Sequence, residues 1–296
     1  MAIMFGQIMA HSIMPTDVGT TVTFTSSTGN AVRGTIGSNG YCIVKLPAFE
    51  RYTVTTSKGF TSTPIELGCG ENHFIEVGLS KTTPAGIKQI LNAGLETTYF
   101  NVGDQLTFKE NGADALFDVL HVDYRTGVYG RNIILGRHNC LNSAMQMQTN
   151  NTNAGGYKAT IVARYLDSDY YNNLQEDLKA VIEKYVFQAS VGSQSQSLQN
   201  EEHYVWLPTE WNIFGATTYA APTEKNTGGA EQFAYFATAA NRVKTVNGAA
   251  AGWWECSPNV SSSAHFCYVS SDGSPNSGNA SDSDGVLPCF MIAADH

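Results

Sequence analysis

The chain is poor in charge. Only 15% of its 296 residues are Asp, Glu, Lys or Arg, where about a quarter is usual. It contains no run of Lys or Arg, and 26 acidic residues against 17 basic ones leave a net charge of -9. Neutralising phosphates takes a basic stripe, so nucleic-acid binding is excluded, and anchoring on an anionic membrane is disfavoured on the same ground. No apolar run approaches the roughly 18 residues of a membrane span. None of the six cysteines (Cys42, Cys69, Cys140, Cys256, Cys267, Cys289) forms a C-x-x-C pair, which argues against a zinc ribbon or a thioredoxin-type motif. Most of them are expected to be small buried apolar residues. The opening MAIMFGQIMAHSIMP has no basic n-region and no small-residue cleavage site, so a protein made in the cytoplasm without a signal peptide is expected. Also missing are G-x-S-x-G, H-E-x-x-H and any glycine-rich loop followed by Lys-Ser/Thr.

What remains is an apolar fraction of 42% and a surface of Ser, Thr, Asn, Gln and Gly. Residues 1–16, with Met1, Ile3, Met4, Phe5, Ile8, Met9, Ile13 and Met14, are too apolar to be left in water. They read as an arm that either packs on its own first domain or docks onto neighbouring subunits. Residues 17–81 read as β throughout: TTVTFTSS alternates with period two, Ser38-Asn39-Gly40 is a turn, and YCIVKLP, RYTVTTS and HFIEVGLS follow as short strands. Residues 82–96 predict a linker helix, with Thr83 as cap before Pro84, an apolar face of Ile87, Ile90 and Leu91, and Gly94 to close it. From 97 to 296 strands and loops predominate. A helix is predicted over 170–187 from the stripe Leu174, Leu178, Val181, Ile182 and Tyr185, and a second over 229–243 around Phe233 and Phe236. The fold class expected is α+β: a small β-sandwich followed by a larger binding domain.

Two resemblances add to this reading. The order of strands and turns in 17–81 resembles the prealbumin-like or carboxypeptidase-regulatory-like β-sandwich, a spacer module without chemistry of its own. In the second half, VWLPTEWNIFG, GAEQFAYFATAANRVK, GWWECSP, HFCYVSSDG and NASDSDGVLPCFMI follow one another. This order resembles an uncharacterised phage and bacterial domain patterned "LPSE … FG … Q … K … WWLRSP … F..V..DG … GV.P.F.I", related to C-type-lectin-like domains, to the variable proteins of diversity-generating retroelements and to the formylglycine-generating fold. Here Cys256 stands where that pattern has Arg. The resemblance implies a receptor-binding or adhesin protein on a phage tail or tail-like particle, with a bacterial surface polysaccharide or protein as ligand. It also implies display as a homo-oligomer, a trimer being favoured. A structural baseplate or decoration subunit is the alternative.

Physical reasoning places the ligand-binding residues on loops between fixed apolar points. Trp253 and Trp254 point to opposite faces of a strand, one plugging the core and the other at its edge. Around Trp254 the candidates are Asn259, Ser261, Ser263, His265, Tyr268, Ser270, Asp272, Ser274, Asn276, Asn279, Ser281, Asp282 and Asp284. They are small, polar and adaptable, as in a paratope. No catalytic residue, metal or cofactor is expected. The cysteines of the last third have no neighbouring cation to make a thiolate. Asp282 and Asp284 read as solvated acids, His121 and His138 as structural histidines, and Glu210 and Glu231 as cap or core hydrogen-bonding groups.

Overall fold

The computed structural model describes residues 4–12, 17–58, 60–62, 64–77, 80–225 and 229–295. The chain divides into two compact units, Met1–Ser80 and Lys81–His296. It is mixed and mostly β.

The first unit holds β1 (Phe5–His11), β2 (Thr21–Ser26), β3 (Ala31–Thr35), β4 (Tyr41–Pro47), β5 (Glu50–Thr56), β6 (Ile65–Leu67) and β7 (Asn72–Glu76). They form a three-stranded sheet, β4-β1-β7, and a four-stranded sheet, β3-β2-β5-β6. Alternation does what period two requires: Ile8 and Ala10 from one sheet meet Val22, Phe24 and Val54 from the other in one core. The arm expected over 1–16 is therefore, over Phe5–His11, a strand of this unit, paired with β4 on one side and with β7 in parallel on the other. Its apolar residues alternate rather than cluster, so half of them fill the core. Met4 and Phe5 remain exposed. Residues 1–3 and 13–16 lie outside the described residues.

The second unit opens with the helix Pro84–Asn92, capped by Thr83, whose hydroxyl accepts from the Gly86 N–H at 3.2 Å. Ile87, Ile90 and Leu91 are buried, and Lys88 pairs with Glu183 at 3.0 Å. The helix is thus built into the second unit rather than being a free linker, because its apolar stripe needs a partner that water cannot supply.

Strands β8 (Gln105–Glu110), β9 (Ala113–Val122), β10 (Asn132–Arg137), β11 (Met145–Gln146), β12 (Ile182–Glu183), β13 (Tyr185–Ser190), β14 (Leu198–His203), β15 (Lys244–Val246), β16 (Ala249–Ala251), β17 (Trp253–Pro258), β18 (His265–Val269), β19 (Pro275–Asn279), β20 (Ser283–Asp284) and β21 (Cys289–Ala293) follow. A five-stranded sheet of order β12-β21-β10-β9-β8 carries the core, where Phe108, Phe117 and Phe290 meet edge to face or tilted. A separate sheet, β17-β18-β19, carries the candidate site.

The helix expected over 170–187 does not form as one element. A π-turn spans Leu166–Tyr170, a single helical turn spans Glu176–Lys179, and the chain then enters β12 and β13. Leu174, Leu178, Ile182 and Tyr185 are all buried, so the stripe is real, but different elements bury its members. The helix expected over 229–243 is two 3-10 turns, Ala234–Ala237 and Ala239–Arg242, with Phe233 and Phe236 buried.

Candidate functional site

The register β17-β18-β19 sets Trp254, Tyr268 and Asn276 side by side. Both tryptophans are fully buried. Their side chains do leave opposite faces of the strand, but both faces are covered. Trp253 donates to the Arg242 carbonyl at 2.8 Å and packs on Phe236; Trp254 donates to the Met145 carbonyl at 2.7 Å. Trp254 is therefore scaffold and not a contact residue, correcting its expected place at the edge. Both donors are satisfied, as buried indoles require.

Tyr268 is half-buried, edge-on to Trp254. Its ring spans the gap between two glycines. A Cβ at Gly252 would come within 3.2 Å of one ring edge, and one at Gly278 within 3.3 Å of the other. Any larger residue would crowd or cover the ring. The Tyr268 hydroxyl accepts from the Asn276 amide at 2.8 Å, and that amide also reaches Ser270 Oγ at 3.2 Å. Asp284 borders the Gly252 side and Asp282 the Gly278 side. Asn279 donates to Asp282 at 3.3 Å. Burial, and then the Asp282 charge, push the Asp284 carboxyl above its ordinary pKa. The result is a half-buried aromatic ring bordered by an amide, a hydroxyl and two carboxylates. Ser270, Asn276, Asn279, Asp282 and Asp284 are thus brought around Tyr268. Asn276 and Asn279 lie in β19 rather than in a loop, which fixes them more firmly than a loop would.

The remaining candidates lie elsewhere on the sheet. Asp272 and Ser274 form a closed turn, with Asp272 Oδ1 accepting from the Ser274 N–H and hydroxyl. Ser281 donates to Asn151. Asn259 is buried, its Oδ1 accepting from the Ser261 N–H at 2.6 Å, so it closes its loop and is not available to a ligand. Ser261 and Ser263 are exposed on the same loop, and His265, half-buried, begins β18.

That loop is pinned by a residue without a sequence signal. Fully buried Asn153 donates its amide to the carbonyls of Asn259, Ser262 and His265, and accepts from the Ser193 N–H at 2.7 Å. Replacing it with Ala strands several buried polar groups, at about 1–3 kcal/mol for each group left unpaired. Asn153→Ala is expected to lower stability by about 2–4 kcal/mol and to raise amide exchange across 259–265, measured by chemical denaturation and hydrogen exchange.

The histidines set aside in the sequence have structural partners. His138 Nδ1 lies 2.9 Å from Asp118, which also accepts from Tyr235 at 2.8 Å and Lys244 at 3.3 Å. Burial opposes a charge on Asp118, but Lys244, Tyr235 and His138 outweigh it and hold the carboxyl below its usual range. This network borders a polar cleft of about 310 Å³ formed by residues that include Arg137, His138, Asn142 and Thr245. His121 Nδ1 accepts from the Ala234 N–H at 3.2 Å, and burial lowers its pKa, so the ring is neutral. Glu210 is a core hydrogen-bonding group, its carboxylate accepting from the N–H groups of Tyr219 and Ala220. Cys256, Cys267 and Cys289 are free and buried, and burial raises all three thiols.

Sequence reasoning passed over a second polar cluster. His203 sits between Asp167, 2.5 Å from Nδ1, and Glu201, 3.0 Å from Nε2. Nearby Glu224 accepts from the Ser190 N–H and the Ser257 hydroxyl, and its burial, only partly offset by those bonds, raises it to about 7. The alternation Glu201-Glu202-His203 in a strand was the available signal, since it puts Glu201 and His203 on one face.

Residues 130–294, more than half of the chain, match the family described as "Domain of unknown function (DUF6273)". The chain belongs to this family. Its matched segment contains the Tyr268 platform, Asn153 and the His203 cluster. No curated protein matches. Among solved structures, "The Bacillus anthracis TIE protein" aligns with 18% identity over 25% of this chain and 16% of that one, with a TM-score of 0.22. Among the described residues, no helix is long and apolar enough to cross a membrane.

Proposed function

We propose that the chain is a recognition protein that binds a hydroxyl-rich ligand, a bacterial surface polysaccharide, on the Tyr268 platform of its DUF6273 domain. The observation that carries this reading is the half-exposed Tyr268 ring held between Gly252 and Gly278. An aromatic ring accommodates the C–H face of a sugar, while the Tyr268 hydroxyl, which accepts from Asn276 and keeps its own proton to donate, and the Asp282 and Asp284 carboxylates offer the donor and acceptors that hydroxyl groups require. The fully buried tryptophan pair beneath keeps the platform rigid, which limits the entropy lost on binding.

The resemblance to lectin-like domains of phage tails sets this activity on a tail or tail-like particle. The first unit is then the sandwich spacer, and Met4 and Phe5 belong to the surface that meets neighbouring subunits. Repeated display in a homo-oligomer compensates for a weak single site through avidity. In the alternative, a baseplate or decoration subunit, the same surface bridges neighbours and no free ligand binds.

The test is adsorption of the purified full chain to bacterial cells and to polysaccharide isolated from them. Tyr268→Ala is expected to weaken binding at least tenfold, about 1.4 kcal/mol, with the unfolding midpoint nearly unchanged. Binding that is unaffected by this substitution, or no binding to any surface polysaccharide, refutes the proposal.

A further inference from the structure

Beneath the platform sheet lies a buried group of side chains with no structural explanation so far. Glu255, in β17, is fully buried, and neither of its carboxylate oxygens has a hydrogen-bond partner. Glu210, at the start of the helix Glu210–Phe214, and Cys267, in β18, meet it there. One ligand atom from each of the three lies within 4.8 Å of the others, and all three residues are buried. Among the described residues, none brings a positive charge to Glu255. The groups that act on it are Glu210 and Glu224, both acidic, and Cys267 in turn feels Glu255, Glu210 and Glu224. Two buried carboxylates and a thiol facing one another cost several kcal/mol for each charge left uncompensated.

We propose that Glu210, Glu255 and Cys267 form a structural site for a divalent transition-metal ion of the zinc class. The donor set argues for that class. Two carboxylate oxygens and one sulfur suit a borderline-soft ion, whereas calcium and magnesium take oxygen alone. Zinc bonds of about 2.0–2.3 Å place tetrahedral ligands roughly 3.5 Å apart, within reach of this spacing. Binding releases to solvent the proton of the Cys267 thiol and those held by the carboxyl groups as the metal–sulfur and metal–oxygen bonds form, so two carboxylates and a thiolate meet a 2+ ion. Glu210 is already oriented for the task, because Tyr219 and Ala220 hold its carboxylate through their N–H groups. Such outer bonds are what fix a metal ligand in place. The site would tie the start of the helix Glu210–Phe214 to β17 and β18, and so brace the sheet that carries Tyr268. It does not depend on what that platform binds.

The experiment is elemental analysis of the tagless full chain, expressed in zinc-supplemented medium and purified without chelator. About one equivalent of zinc, iron or cobalt per chain is expected. Glu255→Gln and Cys267→Ser should each lower this at least tenfold. Should either variant fail to fold, the wild-type protein still decides: a strong chelator should lower its unfolding midpoint and zinc restore it, and cobalt loading should produce a sulfur-to-cobalt charge-transfer band. A folded wild-type chain with less than a tenth of an equivalent, or with calcium or magnesium only, and an unfolding midpoint indifferent to chelator, overturns the proposal. The cluster would then hold protons in place of a metal.

Discussion

Trp253→Ala and Trp254→Ala should each destabilise the second unit by about 3–5 kcal/mol, the cost of truncating a fully buried indole. The unfolding midpoint should fall by roughly 10 °C for a unit of this size. Equality of the two is the informative part. A tryptophan at a sheet edge would cost far less to remove, and its loss would act on ligand binding. Here both side chains are fully buried and both indole N–H groups are bonded, to the Arg242 and Met145 carbonyls. Each substitution removes a large apolar volume and leaves a carbonyl without its donor. Thermal unfolding of both variants checks this. A Trp254→Ala protein as stable as wild type would show that β11 and β20 do not cover that face.

The second large effect is on pH dependence. Burial opposes a charge on His203, but Asp167 and Glu201 outweigh it and push the ring from 6.5 up to about 9. A histidine whose folded pKa is raised stabilises the protein fully below its unfolded value and loses that contribution as pH rises through the folded value. The cluster's contribution is therefore complete below pH 6.5 and lost as pH passes about 9. A shift of this size corresponds to about 3 kcal/mol. Denaturant unfolding from pH 6 to 10 should show wild type losing stability over that window and His203→Gln losing much less. Parallel slopes for the two proteins would mean that the ion pairs contribute nothing. Removing the cation should also be costly at neutral pH, because it leaves Glu201 buried without its partner.

These residues show what a sequence can and cannot give. The strands of the first unit and the helix Pro84–Asn92 were legible, since period-two alternation, Asn-Gly turns and a Thr-Pro cap are local signals. The stripe Leu174, Leu178, Ile182 and Tyr185 misled because helical spacing alone does not say which elements bury each residue. In the fold Leu174 lies in an isolated bridge to Glu110, Leu178 in one helical turn, and Ile182 and Tyr185 in two strands. Trp254 was counted as a contact residue because strand alternation does not say that both faces are covered, and Asn259 because loop composition looks the same whether a side chain faces solvent or stitches its own loop. Tyr268, Asn276, Asp282 and Asp284 were legible as polar or aromatic candidates. Their convergence was not, since the glycines that frame the ring, 252 and 278, act through strand register. Asn153 and Glu255 gave no motif because the groups they meet lie in distant segments of the chain, and of the His203 cluster only the Glu201–His203 alternation was local, since Asp167 is 36 residues away.

The most direct test of the proposed platform is a hydrogen-exchange footprint of the full chain with and without a bacterial surface polysaccharide. Slowed exchange centred on 276–284 and on the strand ends beside Gly252 is the expected result, and it should be absent with Tyr268→Ala. Protection confined to the cleft around His138 and Thr245, or to the first unit, would contradict a recognition platform built on Tyr268.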